Sequence, residues 1–144
     1  MQVAAGNYAI QANPEEFELL DACTDRGTHY DHYCLLRDSS KVKVIETAKK
    51  NRRVGILRLF LMDSKSLERG LNLCNNCQPD YVEILPGIAC SILPYLRTRT
   101  TSKLMCGGLI KNADELKACF DAGACAVTVS RMETIRQYRE KYDS

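Results

Sequence analysis

Apolar strand-like runs alternate with helix-like runs along this chain, and that alternation limits the fold more than any other feature. The β-α pattern repeats six times with no hairpin signal between strands. The runs are Val3 to Ile10, Tyr30 to Leu36, Val54 to Met62, Tyr81 to Leu85, Lys103 to the pair Gly107-Gly108, and Ala124 to Ser130. Strands joined through helices run parallel, and the residues at their C-terminal ends share one rim. Val54 to Met62 is nearly continuous in hydrophobicity, as expected of a strand covered on both faces.

Helix boundaries follow from capping chemistry. Asn13-Pro14-Glu15-Glu16 opens a helix with the apolar face Phe17, Leu19, Leu20 and Cys23, which stops near Gly27. Ser39 or Ser40 caps a helix carrying Val42, Val44, Ile45 and Ala48, and Ser64 caps one carrying Leu67, Leu71, Leu73 and Cys74. Pro94 interrupts the helix from Ile88 to Leu96. Gly123 suits the C′ position of a helix from Ala113 to Ala122, and a last helix runs from Met132 to Tyr142.

Arg37, Asp63-Ser64, Pro86-Gly87, Gly107-Gly108 and Ser130 all fall at strand-to-helix exits, hence on one rim. Gly107-Gly108 leaves a backbone loop without side chains, and the helix that starts at Asn112 turns free N–H groups toward it. Such a loop favours an anion, phosphate above all; equally, the glycines allow a tight βα turn. The next unit repeats the pattern and ends in the hydroxyl of Ser130, as a phosphate site at the last two strands of a (βα)-barrel would. Arg58 lies inside an apolar run and needs an anionic partner, either a carboxylate or a bound anion. Glu83, in the middle of another apolar strand, is a candidate for that partner or for an acceptor of ligand hydroxyls.

A length of 144 residues fits one domain, and 45% hydrophobic with 26% charged residues is ordinary for a globular one. No run of apolar residues is long enough to span a membrane, and the first residues lack a signal peptide, so the expectation is a cytoplasmic protein. Among eight cysteines only Cys74 and Cys77 form a CxxC pair, and His29 and His32 are the only imidazoles. A four-ligand zinc site is therefore unsupported, and no cofactor is expected. The net charge is only +2, but Lys41, Lys43, Lys49, Lys50, Arg52 and Arg53 cluster on one helix and its exit. They form a solvated helix face, favourable to the helix dipole, or a nucleic-acid contact.

The phrases Arg58-Leu-Phe-Leu-Met-Asp63-Ser64, Pro79-Asp-Tyr-Val-Glu-Ile-Leu-Pro-Gly87, Gly107-Gly-Leu-Ile110 and Asp121-Ala-Gly-Ala-Cys-Ala-Val-Thr-Val-Ser130 resemble, in order and spacing, the glycerol-3-phosphate-responsive antiterminator family over roughly residues 54–131. The resemblance implies an α/β fold, a TIM-like (βα) barrel of parallel strands, shortened here to about six βα units in a single domain. It implies a non-enzymatic regulator of glycerol metabolism genes that responds to glycerol 3-phosphate and acts on leader mRNA to prevent transcription termination. By it, Gly107, Gly108 and Ser130 would hold the phosphate. Glu83 and Asp63 would take the glycerol hydroxyls, Arg58 would set the charge balance, and the Lys41–Arg53 cluster would meet RNA.

The family's barrel has eight units. Residues 3–53 match either its first two units or its third and fourth, the latter setting Arg37 against an arginine at the end of the fourth strand. A six-unit chain is expected to form an open, strained barrel or to associate with other copies. Two other functions stay open: an enzyme acting on a small phosphorylated substrate, with Glu83 or Asp63 as general base, and a family member that keeps the fold without a ligand.

Overall fold

The computed structural model describes residues 2–4, 7–11, 36–39, 42–50, 52 and 54–143. Its strands are β1 (Gln2–Ala4), β2 (Asn7–Gln11), β3 (Leu36–Ser39), β4 (Val54–Phe60), β5 (Tyr81–Leu85), β6 (Lys103–Gly107) and β7 (Ala126–Val129). Its α-helices are α1 (Val42–Lys50), α2 (Ser64–Cys77), α3 (Leu93–Arg97), α4 (Ala113–Asp121) and α5 (Met132–Tyr142), with a 3₁₀ segment over Gly87–Ile92. The strands form one sheet in the order β1-β2-β7-β6-β5-β4-β3. From β3 to β7 neighbours in space are neighbours in sequence, all parallel, with a helix between each pair. This sequential winding is that of a (βα)-barrel wall; a doubly wound sheet would reverse direction part-way.

The first run departs from the expected pattern. Val3 to Ile10 does not form one parallel strand; it splits into β1 and β2, which pair antiparallel with each other, and β2 pairs antiparallel with β7. Among the described residues, five parallel βα units and a hairpin therefore stand in place of six parallel units. Among the described residues the sheet ends at β1 on one side and at β3 on the other. The helix expected after Asn13 lies outside the described residues, as do residues 30–35 of the strand expected over Tyr30 to Leu36; the strand observed there is β3, which begins at Leu36 and runs through Arg37 and Asp38 to Ser39.

The remaining elements form close to where capping and periodicity place them, with shifts: the helix expected over Ile88 to Leu96 is a 3₁₀ segment followed by the short α3, and Ser39, an expected cap, lies inside β3. Asp63, not Ser64, caps α2: its side chain accepts from the Ser66 N–H at 2.8 Å while Ser66 Oγ accepts from the Asp63 N–H at 3.0 Å. This reciprocal arrangement satisfies two otherwise orphaned donors. Pro94 sits at the start of α3, where its missing N–H costs nothing, and the 3₁₀ segment ends there. Gly123 follows α4 with φ +105°, the left-handed geometry expected of it.

Alternation along each strand divides the interior in two. Leu57, Leu59, Val82, Ile84, Leu104, Cys106, Val127 and Val129 face the helices and pack with Ile45, Leu71, Leu93, Leu96, Leu116 and Ile135. The other face carries a smaller cluster of Ile56, Tyr81, Met105 and Ala126. Burying each Leu or Ile of the main core stabilises the fold by roughly 1.5–3 kcal/mol. Two positions further along the same strands, on the face of the small cluster, stand Arg58, Glu83, Gly107 and Thr128.

Candidate functional site

The exits of β5 and β6 are drawn together by main-chain contact. Pro86 leaves β5 after a cis peptide bond with Leu85, and the Gly87 N–H donates to the Gly108 carbonyl at 2.9 Å. A Cβ on Gly87 would lie 2.8 Å from the Gly107 nitrogen and 3.0 Å from its oxygen. The position therefore admits no larger residue. From the helix side the Cys119 thiol donates to the Gly87 carbonyl at 3.4 Å.

Gly107 keeps a passage open. A Cβ there would overlap Glu83 Oε1 and Thr128 Oγ1 and lie 3.0 Å from Glu83 Cδ. Through that space Thr128 Oγ1 donates to Glu83 Oε1 at 2.6 Å. Glu83 is only 5% exposed, and a buried carboxylate is costly unless hydrogen-bonded. Among the described residues Thr128 makes the one hydrogen bond to it. A carboxylate offers about four acceptor directions, so capacity remains for a ligand hydroxyl. Arg58 stands beside Glu83 in the β4–β5 register.

Thr128 was not among the sequence candidates, yet Val127-Thr128-Val129 carried the signal. Both valines belong to the helix-side core, so strand alternation turns the hydroxyl to the face of Glu83 and Arg58.

Beyond Gly107 the loop takes an uncommon course. Gly108 has φ +88° and Leu109 φ +62°. Left-handed backbone costs a residue with a side chain about 1–2 kcal/mol, and Leu109 is 60% exposed, so little burial offsets it. Strain of this kind gathers at ligand-binding loops.

The helix N-terminus expected to face this loop is already furnished with acceptors. Asn112 Oδ1 accepts from the Glu115 N–H at 2.9 Å and Glu115 Oε2 from the Lys111 N–H at 2.7 Å. Asp114 shares the first turn of α4. The start of α5 differs: Arg131 occupies its N-cap without a side-chain cap, and the exposed Ser130 precedes it. Gly107 and Thr128 are paired in register, so the uncapped helix start adjoins the glycine loop.

Other candidates are placed elsewhere. Asp63 is at the β4 exit, but its carboxylate caps α2, and the Ser66 N–H holds it below the usual carboxylate range. Arg37 is not at a strand exit. It lies within β3 paired with Gly55, one position below the row of Ile56, Tyr81 and Lys103, at the end of the sheet away from Gly107. Of the basic cluster, Lys43, Lys50 and Arg52 are exposed. Lys49 instead donates to the carbonyls of Gln78 at 2.9 Å and Cys77 at 3.4 Å, closing the end of α2. Lys41 and Arg53 lie outside the described residues. Cys74 and Cys77 are buried thiols within α2, and burial pushes Cys74 up to about 12.

Known proteins settle the affiliation. A family model described as "Glycerol-3-phosphate responsive antiterminator" matches residues 38–134, more than half of the sequence. The chain belongs to this family. The glycerol uptake operon antiterminator regulatory protein of Listeria monocytogenes str. 4b F2365 has a similar structure (TM-score 0.63, 32% identity, 65% of this chain and 51% of that one). So has a glycerol uptake operon antiterminator-related protein of Thermotoga maritima MSB8 (TM-score 0.60, 28% identity, 69% and 56%). The uncharacterized protein YgcP of Escherichia coli (strain K12) is 27% identical over 92 residues, 64% of this chain and 48% of its own length. The chain thus spans about half the length of the relatives it matches. The family assignment covers all the residues that build the glycine loop and the Glu83–Thr128 pair. Among the described residues no helix is long and apolar enough to cross a membrane.

Proposed function

We propose that this chain is a cytoplasmic, non-enzymatic regulator that senses glycerol 3-phosphate and binds leader mRNA to prevent transcription termination. The observation that carries the ligand half is the buried Glu83 carboxylate, reached by Thr128 across the missing side chain of Gly107. An acid held in an apolar wall next to a side-chain-free loop suits a small molecule with hydroxyls at one end and phosphate at the other. The phosphate meets the Gly107-Gly108 backbone, Ser130 and the uncapped start of α5, where partial positive charge favours an anion. The hydroxyls meet Glu83, and Arg58 beside it offsets the negative charges that would otherwise face one another. Asp63, at the β4 exit on the same rim, keeps its carboxylate on the α2 cap. The RNA half rests on the family and on the exposed cations Lys43, Lys50 and Arg52, which suit phosphate contacts without base reading.

Gly108→Asp tests the ligand half. A Cβ on Gly108 would meet nothing nearer than Leu85 at 3.5 Å, and Asp adopts left-handed backbone at smaller cost than most residues. The strain is expected to lower stability without unfolding the chain, while the new charge opposes phosphate in the loop. Calorimetric titration with glycerol 3-phosphate is expected to show binding in the parent and none in the variant. Equal affinity in both would remove the site.

A further inference from the structure

Three thiols meet beneath the glycine loop, on the helix side of the sheet. Cys106 precedes Gly107 in β6, Cys119 lies in α4, and Cys90 lies in the 3₁₀ segment that begins at Gly87. All three are free and buried. The Cys119 sulfur is hydrogen-bonded to both of the others, and its own proton is directed to the Gly87 carbonyl at 3.4 Å.

The three are not equivalent. Hydrogen bonds from Cys106 and, less strongly, from Cys90 hold Cys119 below the usual thiol range despite its burial, whereas burial pushes Cys90 up. The thiolate is the nucleophile, so Cys119 supplies it. Cys106 and Cys119 are fully buried, while Cys90 keeps 8% exposure. The 3₁₀ segment that carries Cys90 is six residues long, lacks a side-chain N-cap and holds non-helical backbone at Ala89 (φ −82°, ψ 25°). Local opening begins in segments held so weakly, and here it uncovers Cys90 with Cys119 behind it. Cys106, by contrast, is fixed in a strand flanked by β5 and β7.

We propose that Cys119 and Cys90 form a reversible disulfide that acts on the glycine loop, with hydrogen peroxide as the oxidant. The Cys119 thiolate attacks one peroxide oxygen. The S–O bond forms, the O–O bond breaks, and the departing hydroxide becomes water with the proton that Cys119 gave up. The Cys90 sulfur then attacks the sulfenic sulfur, forming the S–S bond and expelling the hydroxyl, which leaves as a second water with the Cys90 proton. Two thiols are oxidised and one peroxide is reduced; small thiols reverse the bond by exchange. A disulfide sulfur has no proton for the Gly87 carbonyl, and drawing Cys90 toward α4 pulls on Gly87, which holds Gly108 through its N–H. The loop is thereby loosened, and on the regulator reading above it binds glycerol 3-phosphate less tightly.

Peroxide treatment of the whole chain, followed by iodoacetamide blocking and peptide mass mapping, tests the bond. A Cys90–Cys119 cross-link is expected in the parent, absent from Cys90→Ser and removed by dithiothreitol. With it, hydrogen exchange of the Gly87 amide should quicken, and calorimetric affinity for glycerol 3-phosphate should fall about threefold to tenfold, the worth of one hydrogen bond. Cys90→Ser under the same peroxide is expected to keep its exchange and its affinity. No such cross-link while the partly exposed Cys125 is oxidised, or a Cys106–Cys119 cross-link in its place, would overturn the pairing. A cross-link that leaves both exchange and affinity unchanged would overturn its action on the loop. A chain that binds no glycerol 3-phosphate even when reduced, yet shows the cross-link and the faster exchange, would support the switch and remove the ligand half of the regulator reading.

Discussion

Replacing Gly107 with alanine probes the point where fold and site depend on each other. A single methyl group enters the space that the Glu83 carboxylate and the Thr128 hydroxyl now share. Both side chains emerge from central strands, β5 and β7, so neither backbone can retreat freely. Overpacking of this kind costs about 1–3 kcal/mol, and breaking a hydrogen bond to a buried charged group adds about 1.5–3 kcal/mol. Alanine restricts the unfolded chain and returns about 0.4–1 kcal/mol. The net expectation is a loss of about 2–5 kcal/mol, measured by urea unfolding at equilibrium. Because the methyl acts on Thr128, the double variant Gly107→Ala, Thr128→Ala should cost clearly less than the sum of the single changes, since removing the hydroxyl makes room. Gly107→Ala with parent stability, or strict additivity in the double variant, would show that Glu83 does not depend on this passage.

Three further outcomes follow from the same geometry. Leu109→Gly relieves left-handed backbone at an exposed position and should raise stability by about 0.5–1 kcal/mol in the same unfolding assay, even though it removes a large apolar side chain. Asn112→Ala removes the N-cap of α4 and should cost about 1 kcal/mol while leaving affinity for glycerol 3-phosphate unchanged, because that helix end serves its own acceptors. Cys74, with its thiol pushed up to about 12, should resist iodoacetamide at pH 8 in the native protein, as followed by mass spectrometry, and react once urea unfolds the chain.

Much of the fold was legible because its signals are local. The apolar runs beginning at Val54, Tyr81, Lys103 and Ala124 and the caps at Asn112 and Gly123 are set by residues within a turn of one another. The first run misled because strand propensity continues through Val3 to Ile10, whereas it forms two short strands, the second of them antiparallel to β7. Ser64 and Asp63 are both good N-caps; the choice falls on Asp63 because Ser66 lies three residues on and completes the reciprocal pair. The site was half legible. Glu83 and the glycine pair stand out as exceptions to their surroundings. The dependence of Glu83 on Thr128, 45 residues away, and the engagement of Lys49 with the end of α2 arise from register and packing, which no local pattern encodes.

The most direct test of ligand sensing is a thermal-shift titration with glycerol 3-phosphate, with glycerol and inorganic phosphate as controls. A ligand that binds the native state at a hundred times its Kd stabilises it by about 2.7 kcal/mol, which for a chain of this size raises Tm by about 5–10 °C. The glycine loop and Glu83 together predict a shift with the ester that exceeds the shifts of both controls. Equal shifts with ester and phosphate, or none at millimolar ester, would contradict a site built for this ligand.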